Sequence, residues 1–487
     1  MSAVSTEPRR ARFARRSTRG VLLGLSWPRL LTLACAVIVL VAALMGGGGG
    51  TQGVTMTSPI WMTLGAAALV PINGRTAVDW APVAVTYTAR LLTGQTRYRA
   101  RPLRPRPAGT LGLPGDAARL RLVEDPADGA AFVHDPHLKT LTTVARVRPG
   151  PFILLDPTER DRRATAWGTV LAGLCQQPGT HRVQVLQRTL PDSGMAVESW
   201  WSTWPTRADA DSWVVRAYDE LLTEAATTSE RHETLVSLTV DLTALARPVR
   251  DQGGGLTGAV AVLRARARSL ESALGGADLA VDRLLDASEL AVVMRTAYDP
   301  SAVMVLDRHP EVGRQIATAG PVSVDERWAE LKTESSWHQA LWLAEWPRTE
   351  VAAGFLLPLV GASGVHRTFS LVCEPIPINK AMRDVRADQY GHVADQMERA
   401  ERGQLESAQV RRERADVDQR EAELVSGAGD VRFAGFVVVS APSKDELASA
   451  VDQTRQAAVE AGCELRVMAG EQAGAFVAGA LPLGRGI

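Results

Sequence analysis

His134-Asp135-Pro136-His137 sets two imidazoles and a carboxylate within four residues, the donor types that zinc and related metals take. The proline and the short spacing read more simply as a turn, and no further donor cluster completes a ligand set, so no metal site is assigned. Asp156 and Glu159 flank a Pro-Thr step at the start of a helical pattern, where capping explains them more simply than general acid–base work. Cys175 near a helix end carries a nucleophilic atom, but a thiol buried among apolar groups is inert. Phosphate chemistry has no foothold: a P-loop needs a glycine-rich turn and a lysine to meet the phosphate charge, and the chain has no Gly-Lys dipeptide. Gly46–Gly50 joins two apolar segments and offers no lysine; Gly-x-Ser-x-Gly and His-Glu-x-x-His are absent. The expectation is a protein with no catalytic residue, cofactor or metal ligand, and no enzymatic activity.

The elements behind these residues begin with composition. A chain of 487 residues is long enough for two or three domains. With 54 basic and 54 acidic side chains the formal charge is zero, which argues against direct nucleic-acid binding. Four scattered cysteines without a CxxC pair form neither a disulfide framework nor a zinc site, and they suit a reducing cytoplasm.

The N-terminal part reads as a membrane module. Residues 1–20 are basic; Arg15, Arg16 and Arg19 precede apolar helices expected at about 24–45 and 55–72, within a hairpin covering 21–89. Arg97, Arg99 and Arg101 form a second basic flank in an Arg/Pro-rich linker over 90–118, where they can meet anionic headgroups or simply set topology. Arginine on both outer flanks puts both ends in the cytoplasm, with Trp27 and Trp61 at the interfaces, giving a multi-pass protein of the inner membrane whose bulk is cytoplasmic. The rival is a cleaved signal peptide, opposed by the poor small-x-small site at Leu44-Met45-Gly46 and by the second apolar segment. The second segment is marginal as a full span.

From 119 to 378 the pattern is α/β. Strands are expected at 151–155, 181–190, 235–242, 351–358 and 366–374, and helices at 161–176, 208–227, 257–274 and 286–296. A strand–helix–strand unit recurs loosely. Residues 379–426 form a charged helical arm, either one helix of ~70 Å at 1.5 Å per residue or a hairpin split at Gly403. The C-terminal unit, 427–487, reads as βαβ: a strand at 433–440, a capping box at Ser443 and Glu446, a helix stopped by Gly462, a strand at 464–468 and a short helix over 472–480. The fold class is thus α/β (α+β), with possible ferredoxin-like βαβ units.

Candidate contact residues follow from this layout. Trp200, Trp201 and Trp204 form one aromatic group, either core or protein interface. Arg383 lies on the charged arm; Val410, Val417 and Leu424 lie there at heptad spacing, a docking element or a solvated arm. Phe476 and Leu481 stand in the terminal unit.

That terminal stretch, with Gln472, Ala475-Phe476 and Leu481-Pro482-Leu483-Gly484, resembles the end of the N-terminal domain of conjugative and type IV secretion ATPases. Further similar places are 167–188, the Arg295-Thr-Ala-Tyr-Asp-Pro300 stretch, the charged 383–423 region and the 433–440 strand, together covering much of 150–487. The two apolar helices resemble, by layout, the small PrgI-like membrane proteins of conjugation systems. The whole is similar to an actinobacterial integral membrane family that joins the two parts. The resemblance implies oligomerisation and docking to a membrane complex; with no motor domain in these residues, no catalytic residue carries over. The leading expectation is a non-enzymatic assembly component that recruits a separate motor ATPase and other subunits, with the lipid bilayer and a second copy as further candidate partners. The competing classes are a membrane-tethered enzyme with an unrecognised site and a substrate- or DNA-handling subunit.

Overall fold

The computed structural model describes residues 13, 26–45, 51–72, 74–101, 107–203, 212–309, 311–401 and 408–486. Gly46–Gly50, Trp204, Gly403, Arg15, Arg16 and Arg19 lie outside the described residues. The described part divides into a small unit, 14–96, and a large one made of 97–487 with the residues up to Phe13.

The small unit holds α1 (Trp27–Met45), α2 (Thr51–Leu69), a two-stranded ribbon of β1 (Pro71–Ile72) with β2 (Arg75–Thr76), and α3 (Ala77–Leu92). α1 and α2 pack against each other. Among the described residues α1 alone is long and apolar enough to cross a bilayer; α2, with six Ser, Thr or Gln residues and Pro59 inside it, falls short.

Thirteen strands of the large unit form one sheet. Its first part contains β3 (Arg97–Arg99), β4 (Arg121–Glu124), β5 (Ala131–Asp135) and β6 (Thr140–Pro149), then α4 (Pro157–Gln176) and β7 (Thr180–Pro191). Next come α5 (Met195–Thr203), α6 (Trp213–Thr228), β8 (Glu230–Asp241), α7 (Ala246–Asp251), α8 (Gly255–Gly275), β9 (Leu279–Leu284), α9 (Ala287–Tyr298) and α10 (Ala302–Arg308). The second part contains β10 (Ser323–Glu326), β11 (Leu331–Thr333), β12 (Trp337–Glu345), α11 (Leu357–Gly361) and β13 (His366–Ile376). It ends with α12 (Ile378–Glu401), α13 (Ala408–Val425), β14 (Asp430–Ala441), α14 (Lys444–Glu460), β15 (Glu464–Val467) and α15 (Gln472–Ala480).

The connectivity repeats. β6–α4–β7–β8–α8–β9 pairs in the order β9-β6-β8-β7, all antiparallel. β12–α11–β13–β14–α14–β15 pairs in the corresponding order β15-β12-β14-β13. In each case β-α-β-β-α-β with its outer strands split by an antiparallel neighbour is the ferredoxin-like arrangement. Both halves carry a preceding strand on the near half of their first strand, β5 on β6 and β11 on β12. Both carry a helix pair between their second and third strands, α5–α6 and α12–α13. The halves join through antiparallel pairing of β7 with β13, Thr368 opposite Arg188 and Cys373 opposite Val183, which relates them by a pseudo-twofold axis through that seam.

Alternation of side chains distributes the core over two faces. Val236, Leu238 and Val240 of β8 pack under α4 and α8, and Val437 and Val439 of β14 under α11 and α14. Leu235 and Val438 point the other way, into a cluster shared by α9 and α15. The expected α/β region and C-terminal βαβ unit therefore share one sheet. Two expected strands are absent: Pro151–Leu155 is a turn with Ile153 and Leu154 exposed, and Val351–Pro358 leads through turns into α11. Both stretches are apolar, but prolines at 151 and 358 deprive them of ladder donors. The 379–426 arm is a helical hairpin, not one long helix.

Candidate interaction surfaces

Sequence-level metal and acid–base candidates resolve into local structure. Asp135 Oδ1 accepts from His137 N at 2.9 Å and Leu138 N at 3.1 Å, closing the turn, while its other oxygen meets Arg485. Among the described residues no group of three or more potential metal ligands gathers. Asp156 caps α4, accepting from Glu159 N at 2.9 Å. Cys175 is buried, and desolvation pushes its thiol up from the ordinary range. Ser443 caps α14 through Glu446 N at 3.2 Å; the Glu446 carboxylate accepts from the Ser443 hydroxyl, not from the cap backbone, so the expected capping box is half made.

The pair closest in type to a catalytic dyad is Ser440 and His338, with 2.8 Å between Oγ and Nδ1. His338 is fully buried, and its Nε2 lies 3.1 Å from the Tyr298 carbonyl, which can only accept; Nε2 therefore donates and Nδ1 accepts from Ser440. Desolvation holds the imidazole neutral, its pKa down at about 4. Phe476 stacks edge-on at 4.9 Å and closes the space a substrate would need.

A buried ion network fixes α9. Arg188 Nε donates to Glu233 Oε2 at 2.7 Å, and its other nitrogens reach the Val293 carbonyl and Thr296 Oγ1, both at 2.9 Å. Arg146 joins Glu233 at 3.0 Å and Glu289 at 3.2 Å. Burial opposes the Glu233 charge, but Arg188 and Arg146 outweigh it and hold the carboxyl below its ordinary range.

The terminal stretch singled out by sequence is spent internally. Gln472 fills the gap on the β12 edge between β11 and β15: its Oε1 accepts from Ala340 N at 2.8 Å and its Nε2 donates to Ala340 O at 3.1 Å and Met468 O at 2.9 Å. Gln184 of β7, wholly buried, donates to Ser370 Oγ at 2.8 Å and to the Ala478 and Leu481 carbonyls at 3.0 Å, and accepts from Gly484 N at 2.8 Å. Ser237 Oγ donates to Pro482 O at 2.7 Å. Gly484 has φ +61° and lies so close to Thr239 that a Cβ would overlap its hydroxyl. Phe476 and Leu481, expected as contact residues, are 1% and 0% exposed; they pack the core between the two halves of the sheet and present no docking face.

The arms differ. On α5–α6, Trp200 is 51% exposed, Trp213 75%, and Val214 and Leu221 are exposed as well. Trp201 is half-buried, stacks on Tyr218 at 4.5 Å and hydrogen-bonds Asp219 through its indole N–H. On α12–α13, Leu424 is buried against Ile376, Ala381 and Val385 with Val417 beside it, and Val410 is half-buried. Leu424 and Val417 thus pack within the hairpin. Arg383 is exposed, its Nε donating to Asn379 O at 3.1 Å.

Within the stretch expected as an Arg/Pro-rich linker, Arg97 and Arg99 belong to β3; their side chains flank Tyr98, whose hydroxyl donates to Gly112 O at 3.0 Å. Arg99 pairs with Asp325 at 3.0 Å, and Arg101 is exposed. Sequence reasoning did not single out Phe13. It lies in an aromatic group with Trp346, Phe355 and Phe433, ring centroids 5.0, 5.4 and 6.0 Å away. The signal available was its place as a single large apolar residue among arginines.

Residues 228–343 match the family model EccE, described as "Putative type VII ESX secretion system translocon, EccE". The matched stretch runs from β8 of the first half into β12 of the second. No curated protein matches the chain. The class this similarity gives is a secretion-system translocon component of a membrane complex, in agreement with the apolar α1. It corrects the expected assignment: the system named is type VII, and neither a conjugation or type IV apparatus nor a PrgI-like module is supported.

Proposed function

We propose that the protein is a membrane-anchored, non-enzymatic component of a type VII secretion apparatus that acts through contact with other subunits. The carrying observation is the match of residues 228–343 to a translocon family. The absence of turnover is supported by the fate of the buried polar groups: Gln184, Gln472, His338 and Arg188 are each engaged in bonds within the fold.

In this reading α1 crosses the membrane, α2, too polar to cross by itself, completes the hairpin packed against it, and the large unit is cytoplasmic. Arginines on both flanks support that orientation. Phe13 also fits it, since it precedes α1 yet packs on a residue that follows α3, as a hairpin with both ends on one side would allow. The partners are a separate motor ATPase and further apparatus subunits, met by the exposed aromatic face of α5–α6 and the charged α12–α13 hairpin. Anchoring raises the effective concentration of such contacts.

The test is affinity purification of the full-length protein in detergent, with and without crosslinking. Apparatus subunits, the ATPase among them, are expected with the wild type and several-fold less with Trp200→Ser/Leu221→Ser. Recovery of no apparatus subunit overturns the reading, as does nucleoside-triphosphate turnover by the purified chain alone.

A further inference from the structure

We infer that Trp346, Phe355 and Phe433 form a docking slot for an aromatic side chain carried on a basic segment, and that the chain's own Phe13 fills it in cis. The inference does not depend on the secretion reading.

Three separate pieces of chain build the slot. Trp346 follows the end of β12, Phe355 lies in the turn before α11, and Phe433 is on β14. Trp346 meets Phe433 edge-on at 5.0 Å with planes at 85°, and Phe355 at 6.4 Å with planes at 64°, the geometry aromatic quadrupoles favour. The indole packs closely over residue 435, a glycine: a Cβ there would stand 3.3 Å from Trp346 Cζ2 and 3.1 Å from Leu343 Cβ, a tight fit. Phe433 remains 42% exposed, so the aromatic group reaches solvent.

The occupant follows from charge and spacing. Between Arg9 and Gly20 the chain has six arginines and one large apolar side chain, Phe13. Arginines suffice to set membrane orientation, and a phenylalanine adds nothing to that task. In the slot it gains three aromatic neighbours. The segment recognised is therefore an aromatic anchor set among arginines in the sequence, held through the apolar contacts of its ring.

The test uses a fluorescently labelled peptide of residues 7–19 and the full-length protein in detergent at high salt. The Phe13→Ala protein, its slot vacated, should bind the peptide saturably and about tenfold or more tightly than the wild type, whose slot is filled. A peptide carrying Phe13→Ala should bind the Phe13→Ala protein about tenfold more weakly than the native peptide. Phe13→Ala/Phe355→Ala should lose binding, and Phe13→Ala/Trp346→Phe, which keeps an aromatic wall, should retain it; thermal unfolding of each variant reports whether the fold is kept. Equal binding of the two peptides means association by charge alone and overturns the proposal. Equal binding by wild type and Phe13→Ala means the slot is not filled in cis and overturns it too.

Discussion

Replacing Gln184 by methionine removes one buried amide and keeps the volume of the side chain. Four partners lose it: Ser370 Oγ, the Ala478 and Leu481 carbonyls, and Gly484 N–H. They are not affected equally. Ala478 O keeps the Ser370 hydroxyl at 3.1 Å, and Leu481 O keeps Leu483 N–H at 2.9 Å. Gly484 N–H is buried and loses its acceptor. A buried donor stripped of its partner costs roughly 1–3 kcal/mol, and weakened bonding at two carbonyls adds to that, so the variant should be destabilised by about 2–4 kcal/mol. The loss should be local first, because Ser237 still holds Pro482 and Arg485 still meets Asp135. Hydrogen exchange of the full-length protein in detergent, followed by mass spectrometry, should show faster exchange over 481–486 before any change in β7. A Gln184→Met protein with wild-type exchange in that segment and an unshifted melting curve would refute the reasoning.

His338 should make the fold acid-sensitive. Its pKa lies near 4 in the folded protein and at about 6.5 unfolded, so the unfolded chain binds more protons between those values and stability falls as pH drops from roughly 6.5 towards 4. Urea midpoints across that range should show the slope, and His338→Gln should flatten it. Glu233 acts at lower pH: its depressed carboxyl contributes stability above the unfolded pKa of about 4.3, which is lost as pH falls through the folded value. Glu233→Gln leaves Arg188 and Arg146 without their shared anion and should cost about 3 kcal/mol in denaturant titration, whereas Glu159→Gln at the start of α4 should leave the denaturant midpoint nearly unchanged. Trp200→Ser, at a half-exposed position, should shift stability by less than about 1 kcal/mol while reducing recovery of apparatus subunits; a large stability loss with normal recovery would assign Trp200 to packing.

Much of the scaffold was legible because it rests on local rules. The strands expected at 181–190, 235–242, 366–374 and 433–440, the helix at 286–296, the Ser443 cap and the Gly462 stop all lie where period and propensity put them. The repeat was visible only as loosely recurring strand–helix–strand units, because strand order depends on pairings such as Arg188 opposite Thr368 that no local pattern encodes. The terminal Gln472–Gly484 stretch was noticed but its use was not. A buried glutamine reads as a surface residue until the backbone groups it bonds are known, and those belong to strands far away in sequence. Val417 and Leu424 show the converse: heptad spacing is the same whether the partner helix is in another molecule or in α12.

Running β7 against β13 also has a geometric outcome. The helix pairs that follow these two strands leave the sheet at opposite ends, one greasy and aromatic, the other densely charged. A single polypeptide thereby acquires the two-sided layout of a homodimer without obliging its two ends to be alike. Either helix pair can change its chemistry with no alteration to the strands between them.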